Sequence, residues 1–292
     1  MKISNFNKGI ISTSLGSFWW GGIGVIYFQY LSFVGHIELV VHRCLWTSLM
    51  LILTTCFLSK WKTFFKIFTD LKKIFVLFLT GFLIFTNWSV WIYAVASKQI
   101  INASFGYFIM PILSVLFGYI FFQERLNLKR IISILLVLIS IFYLFLNFKS
   151  IPWVGLSVAL SWSIYNLLRK TIKVDTDIGL LIESLFILPF AIIVFFFLMK
   201  NGVNDFNLSN IPLMFLLLLA GPMTVIPLFL YVRGVELSGL GPAGMIFYIT
   251  PTLQFLLGFF YYNEQFSMEK LISFILIWIA VFIYLKDLYE QN

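Results

Sequence analysis

Charge is what this chain has least of: Asp, Glu, Lys and Arg make up 11% of its 292 residues, against 61% hydrophobic residues. A soluble domain carries about a quarter charged residues and could not cover its surface with so few. Cysteine is almost absent as well. Cys44 and Cys56 fall on one expected helix, about 18 Å apart at 1.5 Å per residue, which excludes a disulfide between them. There are only two histidines, and the one close acidic pair is Asp175 and Asp177. That leaves no expected metal site and argues against a polytopic membrane transferase, which needs an acidic cluster or a His–acid pair at the interface. No phosphate-cradling glycine loop is present, so no nucleotide or other cofactor is expected. No A-x-A-like cleavage site follows the first apolar run, and that run reads as a retained helix.

What is present is a set of long apolar runs, giving a mean hydropathy of +0.99. Charges, Pro, Gly and Asn divide the chain into ten: 8–30, 36–58, 74–95, 101–122, 128–147, 151–170, 178–199, 211–233, 241–262 and 268–286. Runs near 20 residues are the length of an α-helical span, whereas membrane β-strands would alternate polar and apolar over about ten residues. The expected fold class is therefore an all-α polytopic membrane protein with ten transmembrane helices. If the N-terminus is cytoplasmic, most of the 20 Lys and Arg lie on inside segments. Lys98, Lys149, Lys200 and Lys270 fall outside, and Arg43 alone reads as lying within a span. The positive-inside rule then puts both termini in the cytoplasm.

The chain also repeats once. Residues 102–145 lie over 242–285 without a gap, placing Pro111 on Pro251, Gly118 on Gly258, Glu124 on Glu264 and Ser133 on Ser273. Five runs separate the copies, an odd number, so the copies cross the bilayer in opposite senses. Two inverted five-helix repeats are expected, at residues 1–150 and 151–292. That architecture suits alternating access to a site near the midplane. The basic, aromatic segment 59–73 reads as an interfacial helix on an anionic leaflet. A loop this short between spans is a poor nucleic-acid binder.

Polar groups at bilayer depth are costly and are the default functional candidates. His42 and Arg43 lie about two turns into the second run, with Glu38 one turn before His42. Glu183 lies two turns into the seventh. Opposed helices put His42 and Glu183 roughly 12 Å apart along the membrane normal, so no direct pair between them is expected. Arg43 or His42 would hold a substrate anion, and Glu183 a substrate amine or a coupling proton. Against this, Arg43 could snorkel or pair with Glu38, and Glu183 could bond to a neighbouring helix. Asn87, Trp88, Tyr107, Asn166 and Tyr248 complete the candidate substrate contacts. Glu183, Glu38, Pro111 and Pro251 are the candidates for coupling or gating, because proline in a helix permits a hinge. Glu124 and Glu264 read as salt bridges or caps at the repeat joints. Trp19, Trp20, Trp91, Trp162 and Tyr165 could line a cavity favouring cationic or ring-bearing solutes, or belong to interfacial belts.

Several segments together resemble the RarD ("chloramphenicol-sensitive protein") family of EamA-type drug/metabolite transporters: ELVVHRCLW at 38–46, NWSVWIYAV at 87–95, NASFGYFIMPILSVLFGYIFFQER at 102–125, LLRK at 167–170, IGLLIESLFILP at 178–189 and FYITPTLQFLLGFFYYNE at 247–264. The resemblance spans about residues 8 to 287. It departs at Gln123 and Asn263, where the family tends to have glycine before the glutamate. It implies ten helices, cytoplasmic termini in the inner membrane, and secondary transport through a central cavity. It also implies that His42, Arg43, Asn87, Tyr107 and Glu183 occupy the family's polar positions. The expected cargo is a small zwitterionic or cationic metabolite: amino-acid-like, quaternary ammonium, or sulfonium such as S-adenosylmethionine. A multidrug, amphenicol or amino-acid exporter is the alternative. The expected partners are this solute, the lipid bilayer, and a proton or exchanged solute that drives transport. Monomer and dimer both fit the pattern. No enzymatic activity is expected, and a channel is disfavoured because no re-entrant filter loop stands out.

Overall fold

The computed structural model describes residues 4–96, 100–146, 153–261 and 268–290. Among these residues the chain is helical throughout, without strands. In order the helices are α1 (Asn5–Trp19), a π-helical turn (Trp20–Gly24), α2 (Val25–Tyr30), α3 (His36–Phe57), α4 (Trp61–Ile67), α5 (Leu71–Ala96), α6 (Ile100–Phe122) and α7 (Leu128–Phe145). They continue with α8 (Trp153–Thr171), α9 (Thr176–Lys200), α10 (Ile211–Leu218), α11 (Ala220–Ser238), α12 (Leu240–Ile246), α13 (Ile249–Phe260) and α14 (Met268–Glu290). Helix occupies each of the ten apolar runs, and α4 falls inside the basic segment 59–73.

Six helical stretches among the described residues are long and apolar enough to cross a membrane: Asn5–Tyr30, His36–Phe57, Leu71–Ala94, Thr176–Lys200, Ile211–Ser238 and Leu271–Glu290. Their outward faces carry exposed Phe75, Phe82, Phe190, Phe196 and Phe282, while the interior of the bundle collects Thr, Ser, Asn, Glu and Arg. This inverts the soluble pattern, as a lipid surround demands.

Two helices outrun the expected boundaries, for local reasons. The eighth run was expected to stop at Arg233, but Arg233 pairs with Glu236 one turn on at 3.0 Å. The helix therefore continues to Ser238, where Gly239 at φ +101° turns the chain. The tenth run continues past Lys286 because Asp287 pairs with Arg130 at 2.9 Å and Glu290 with Lys129. These contacts gather residues 124–130, 233–241 and 287–290 with the start of α1 at one end of the bundle. There Gly9 lies so close to Ser238 that a Cβ would sit 2.8 Å from its backbone nitrogen. Lys170 binds Glu124 at 2.8 Å, and Lys60 binds Asp177 at 2.7 Å, at the same end. The segment between α9 and α10 lies at the other end, held to the start of α3.

Helix neighbours follow an exchange of the two halves. The second run (α3) lies on the seventh (α9), the fourth (α6) on the ninth (α12 and α13), and the fifth (α7) on the tenth (α14). Likewise the first run (α1) lies on the eighth (α11) as the sixth (α8) lies on the third (α5). Small residues allow these approaches. A Cβ at Gly16 would meet the Pro227 carbonyl at 2.8 Å, and one at Gly244 the Pro111 carbonyl at 3.1 Å.

Glu124 joins the halves. Its carboxylate accepts the backbone N–H groups of Leu240 and Gly241, both at 2.8 Å, at the start of α12. It thus acts as both cap and salt bridge. Its repeat partner Glu264 lies outside the described residues. The two repeat prolines behave differently. Pro111 sits inside the unbroken α6, whereas the chain breaks at Phe247–Tyr248 between α12 and α13, with Pro251 in the first turn of α13. Pro251 has no N–H to give the Phe247 carbonyl, which accepts the Thr250 N–H at 2.9 Å instead.

Candidate functional site

A cavity of about 550 Å³, its open mouth included, lies between the two halves, toward the end away from the chain termini. The π-helical turn and α2 contribute Trp20, Gly24 and Phe28, and α3 contributes Arg43. Asn87, Trp88 and Trp91 come from α5, Tyr107 from α6, and Val158 and Trp162 from α8. Phe247 lies at the α12–α13 break, and α13 adds Thr250 and Gln254. Extra backbone in a π turn rotates side chains that a regular helix would aim elsewhere, and such turns recur at functional sites. Here Gly21 lets that turn seat against α13, since a Cβ would lie 2.7 Å from the Thr250 carbonyl oxygen.

Among the described residues, Arg43 is the only charged side chain in this lining. Its side chain is buried, Nε donates to Thr224 Oγ1 at 3.0 Å, and the guanidinium lies 4.5 Å from the Trp88 ring centre and 5.0 Å from that of Phe28. No carboxylate among the described residues pairs with it. Asn87 donates to the Val158 carbonyl at 3.0 Å and to Ser161 Oγ at 3.1 Å, which fixes α5 on α8.

The cavity ends on an aromatic floor. Trp162 contacts Trp20 with ring centres 5.0 Å apart, Tyr231 at 5.4 Å and Tyr165 at 5.5 Å. Below Tyr165 lies a buried polar ring around Glu183. Thr80 donates to Oε1 at 2.7 Å and Tyr165 to Oε2 at 3.2 Å, while Arg169 Nε stands 3.4 Å from Oε1. Arg169 also reaches Glu236 at 3.9 Å, and Thr176 donates to Glu236 at 2.8 Å. This ring ties α5, α8, α9 and α11 together. Two glycines make room for it. Gly179 leaves space filled by the Arg169 guanidinium, and a Cβ at Gly81 would sit 3.0 Å from the Glu183 carbonyl oxygen.

Five of the sequence candidates thus fall around one axis: Arg43, Asn87, Trp88 and Tyr107 in the cavity, and Glu183 beneath it. His42 points elsewhere. It stacks on Trp46 and touches Phe195 and Phe206. Its Nδ1 accepts the Trp46 indole N–H at 2.9 Å, leaving Nε2 to face Glu38 Oε1 at 3.3 Å. Indole is only a donor, so Nδ1 is the acceptor in that bond. Glu38 accepts the backbone N–H groups of Asp205 at 2.8 Å and Phe206 at 3.1 Å. The Glu38–His42–Trp46 group therefore fastens the α9–α10 connection to α3, away from the cavity. Asn166 donates to the Trp162 carbonyl at 2.9 Å, and Tyr248 to the Phe108 carbonyl at 2.8 Å. Neither lines the cavity.

One expectation is overturned outright: Arg43 is not the only arginine buried in a span. Arg169 is 3% exposed and pairs with Glu183. Its place beside Lys170 makes it look interfacial, yet Trp162, Tyr165, Asn166 and Arg169 recur at helical spacing and mark one polar-aromatic face of α8. Trp20, Trp91 and Trp162 line the cavity rather than an interfacial belt, and Phe28, Thr250 and Gln254 line it with nothing in the sequence to single them out. No group of three or more His, Cys, Asp or Glu side chains converges among the described residues in a way that could hold a metal.

Long apolar helices with an apolar exterior, a polar interior and a cavity between them define a multi-pass membrane protein. The EamA-like transporter family model matches residues 7–146 and again 149–286, and the chain belongs to that family. It is 31% identical to Protein RarD of Salmonella typhi over 100% of this chain and 99% of that protein. It is 33% identical to an uncharacterized transporter of Vibrio cholerae (96% and 92% covered) and 32% identical to the uncharacterized transporter YojE of Bacillus subtilis (97% and 95%). A solved crystal structure superposes with a TM-score of 0.68 at 14% identity, covering 95% of this chain and 97% of that one, and shares the fold.

Proposed function

We propose that this protein is a secondary transporter of the inner membrane that moves a small amphiphilic metabolite by alternating access, with both termini cytoplasmic. The observation that carries this reading is the contrast between the two ends of one axis. A cavity occupies the half away from the termini, and the half below it is closed by the Trp162 floor and the Glu183–Arg169–Glu236 ring. Ten spans in two inverted repeats, 1–150 and 151–292, would let the closed and open ends trade places. The exchange-related helix contacts support that division. A proton or an exchanged solute would supply the energy.

Arg43, Asn87, Trp88 and Tyr107 are the proposed substrate contacts. Glu183, with Arg169, is proposed as the gate toward the termini, and Pro251 as the hinge. Of the cargo types considered, a zwitterion suits this lining better than a bare cation, because Arg43 would repel a quaternary ammonium or sulfonium lacking a carboxylate. An amphenicol is the second reading, favoured by the neutral aromatic walls.

Counterflow in proteoliposomes is the test. Vesicles preloaded with unlabelled phenylalanine should take up tracer phenylalanine faster than unloaded or protein-free vesicles. If Glu183→Gln and Trp88→Ala both exchange at the wild-type rate, this site is wrong.

A further inference from the structure

Three arginines are buried among the described residues, and they are treated differently: Arg130 pairs with Asp287 at 2.9 Å. Arg169 has carboxylates at 3.4 and 3.9 Å, whereas Arg43, 5% exposed, has none among the described residues. Trp88 and Phe28 stand against the Arg43 guanidinium, and Thr224 takes Nε. What remains is the edge bearing the terminal nitrogens, for which no acceptor is found among the described residues. The indole N–H of Trp88 also lacks an acceptor there. A desolvated guanidinium without an anion is strongly unfavourable, and contact with aromatic rings does not neutralise it. The acid on the helix of Arg43 and the buried one on the helix α9 packed against it are already committed. Glu38 is bound to His42 and to the Asp205 and Phe206 amides, and Glu183 to Thr80, Tyr165 and Arg169. Among the described residues the lining contains no Asp or Glu.

We propose that the cavity binds an aromatic monocarboxylate, with the carboxylate on the free edge of Arg43 and the ring against Trp20, Trp91, Trp162 and Tyr107. A planar carboxylate matches the guanidinium fork in a bidentate pair. A dianionic phosphate would bring a second charge that nothing in the lining compensates. An ammonium group on the ligand finds no counter-ion here, so it is tolerated without being selected. This deepens the transport reading by naming what its cavity recognises, and it rests on that cavity being the solute site.

Four ligands with the same ring separate the charge types: 3-phenylpropanoate, phenylalanine, 3-phenylpropanamide and 2-phenylethylamine, each titrated calorimetrically against the purified full-length protein near neutral pH. The acid and the amino acid should bind with similar affinity. The amide and the amine should bind at least about tenfold more weakly, the scale of one charge-assisted hydrogen bond. Arg43→Gln should bring acid and amide level, and Arg43→Lys should keep part of the preference while guarding against a folding defect. Amine binding as tight as the acid, no binding of any of the four, or a preference for the acid that survives Arg43→Gln would each overturn the proposal. Acid binding without counterflow would leave this inference standing and remove the transport reading. Counterflow of the amine with no acid binding would do the reverse.

Discussion

At the scale of single residues, an ionisable side chain inside the bundle is defined by what it is given as a partner. Glu183 and Arg169 form a buried ion pair, and removing one strands the other. Glu183→Gln should lower stability by about 3 kcal/mol, the usual cost of breaking a buried pair, read as a drop in the thermal midpoint in detergent. Adding Arg169→Met should recover most of that loss; a double variant as unstable as the single would mean that the pair is not the cause. The Glu38 bracket makes a separate prediction. Glu38→Ala should speed hydrogen exchange at the Asp205 and Phe206 amides while leaving ligand affinity unchanged. Charge at membrane depth was enough to pick out Arg43 and Glu183 from sequence. It could not separate Arg43 from His42, because adjacent residues on a helix point about 100° apart and only the neighbours decide which one faces a cavity. Arg169 was misread because a cation beside Lys170 in a last turn normally reaches water, and the acid that keeps it buried lies on another helix.

At the scale of elements, the glycines of the π turn differ in role. A Cβ at Gly21 collides with the Thr250 backbone, whereas nothing lies within 4 Å of one at Gly22. Gly21→Ala should therefore cost about 1–3 kcal/mol through overpacking. Gly22→Ala should be neutral or stabilise by up to about 1 kcal/mol through helix propensity. Thermal unfolding of the two variants side by side checks the ordering. At the terminus end, the hydrogen bond from Lys60 to Asp177 raises the lysine pKa. That tie thus holds through neutral pH and is lost only as pH climbs past the ordinary lysine range. Helix positions were legible from apolar runs, but the ends of α11 and α14 were not. A charge usually marks the edge of a span, yet Arg233 and Asp287 are paired and let their helices run on. The π turn left no trace in apolar periodicity, because WGGIG fits a regular helix as well.

At the scale of the whole molecule, repeat and site belong to one arrangement. Arg43 on α3 bonds Thr224 on α11, and Glu183 on α9 bonds Thr80 on α5. Exchange of the halves carries each pair of helices into the other. One member faces an open cavity and the other lies in a closed ring, as the proposed alternating access would require. The repeat was readable because Pro111 and Pro251 share a position. Which end stood open depends on packing between halves that no single run reveals.

Cysteine accessibility measures this asymmetry directly. In a Cys44→Ser/Cys56→Ser background, Gln254→Cys in the cavity should react readily with a membrane-impermeant maleimide added from the face away from the termini. Leu180→Cys, which lines the closed void beside Glu183, should stay unreactive from that face. From the terminus face it should react only when the gate opens. Open reaction of both cysteines from the same face would indicate a continuous pore and contradict the account.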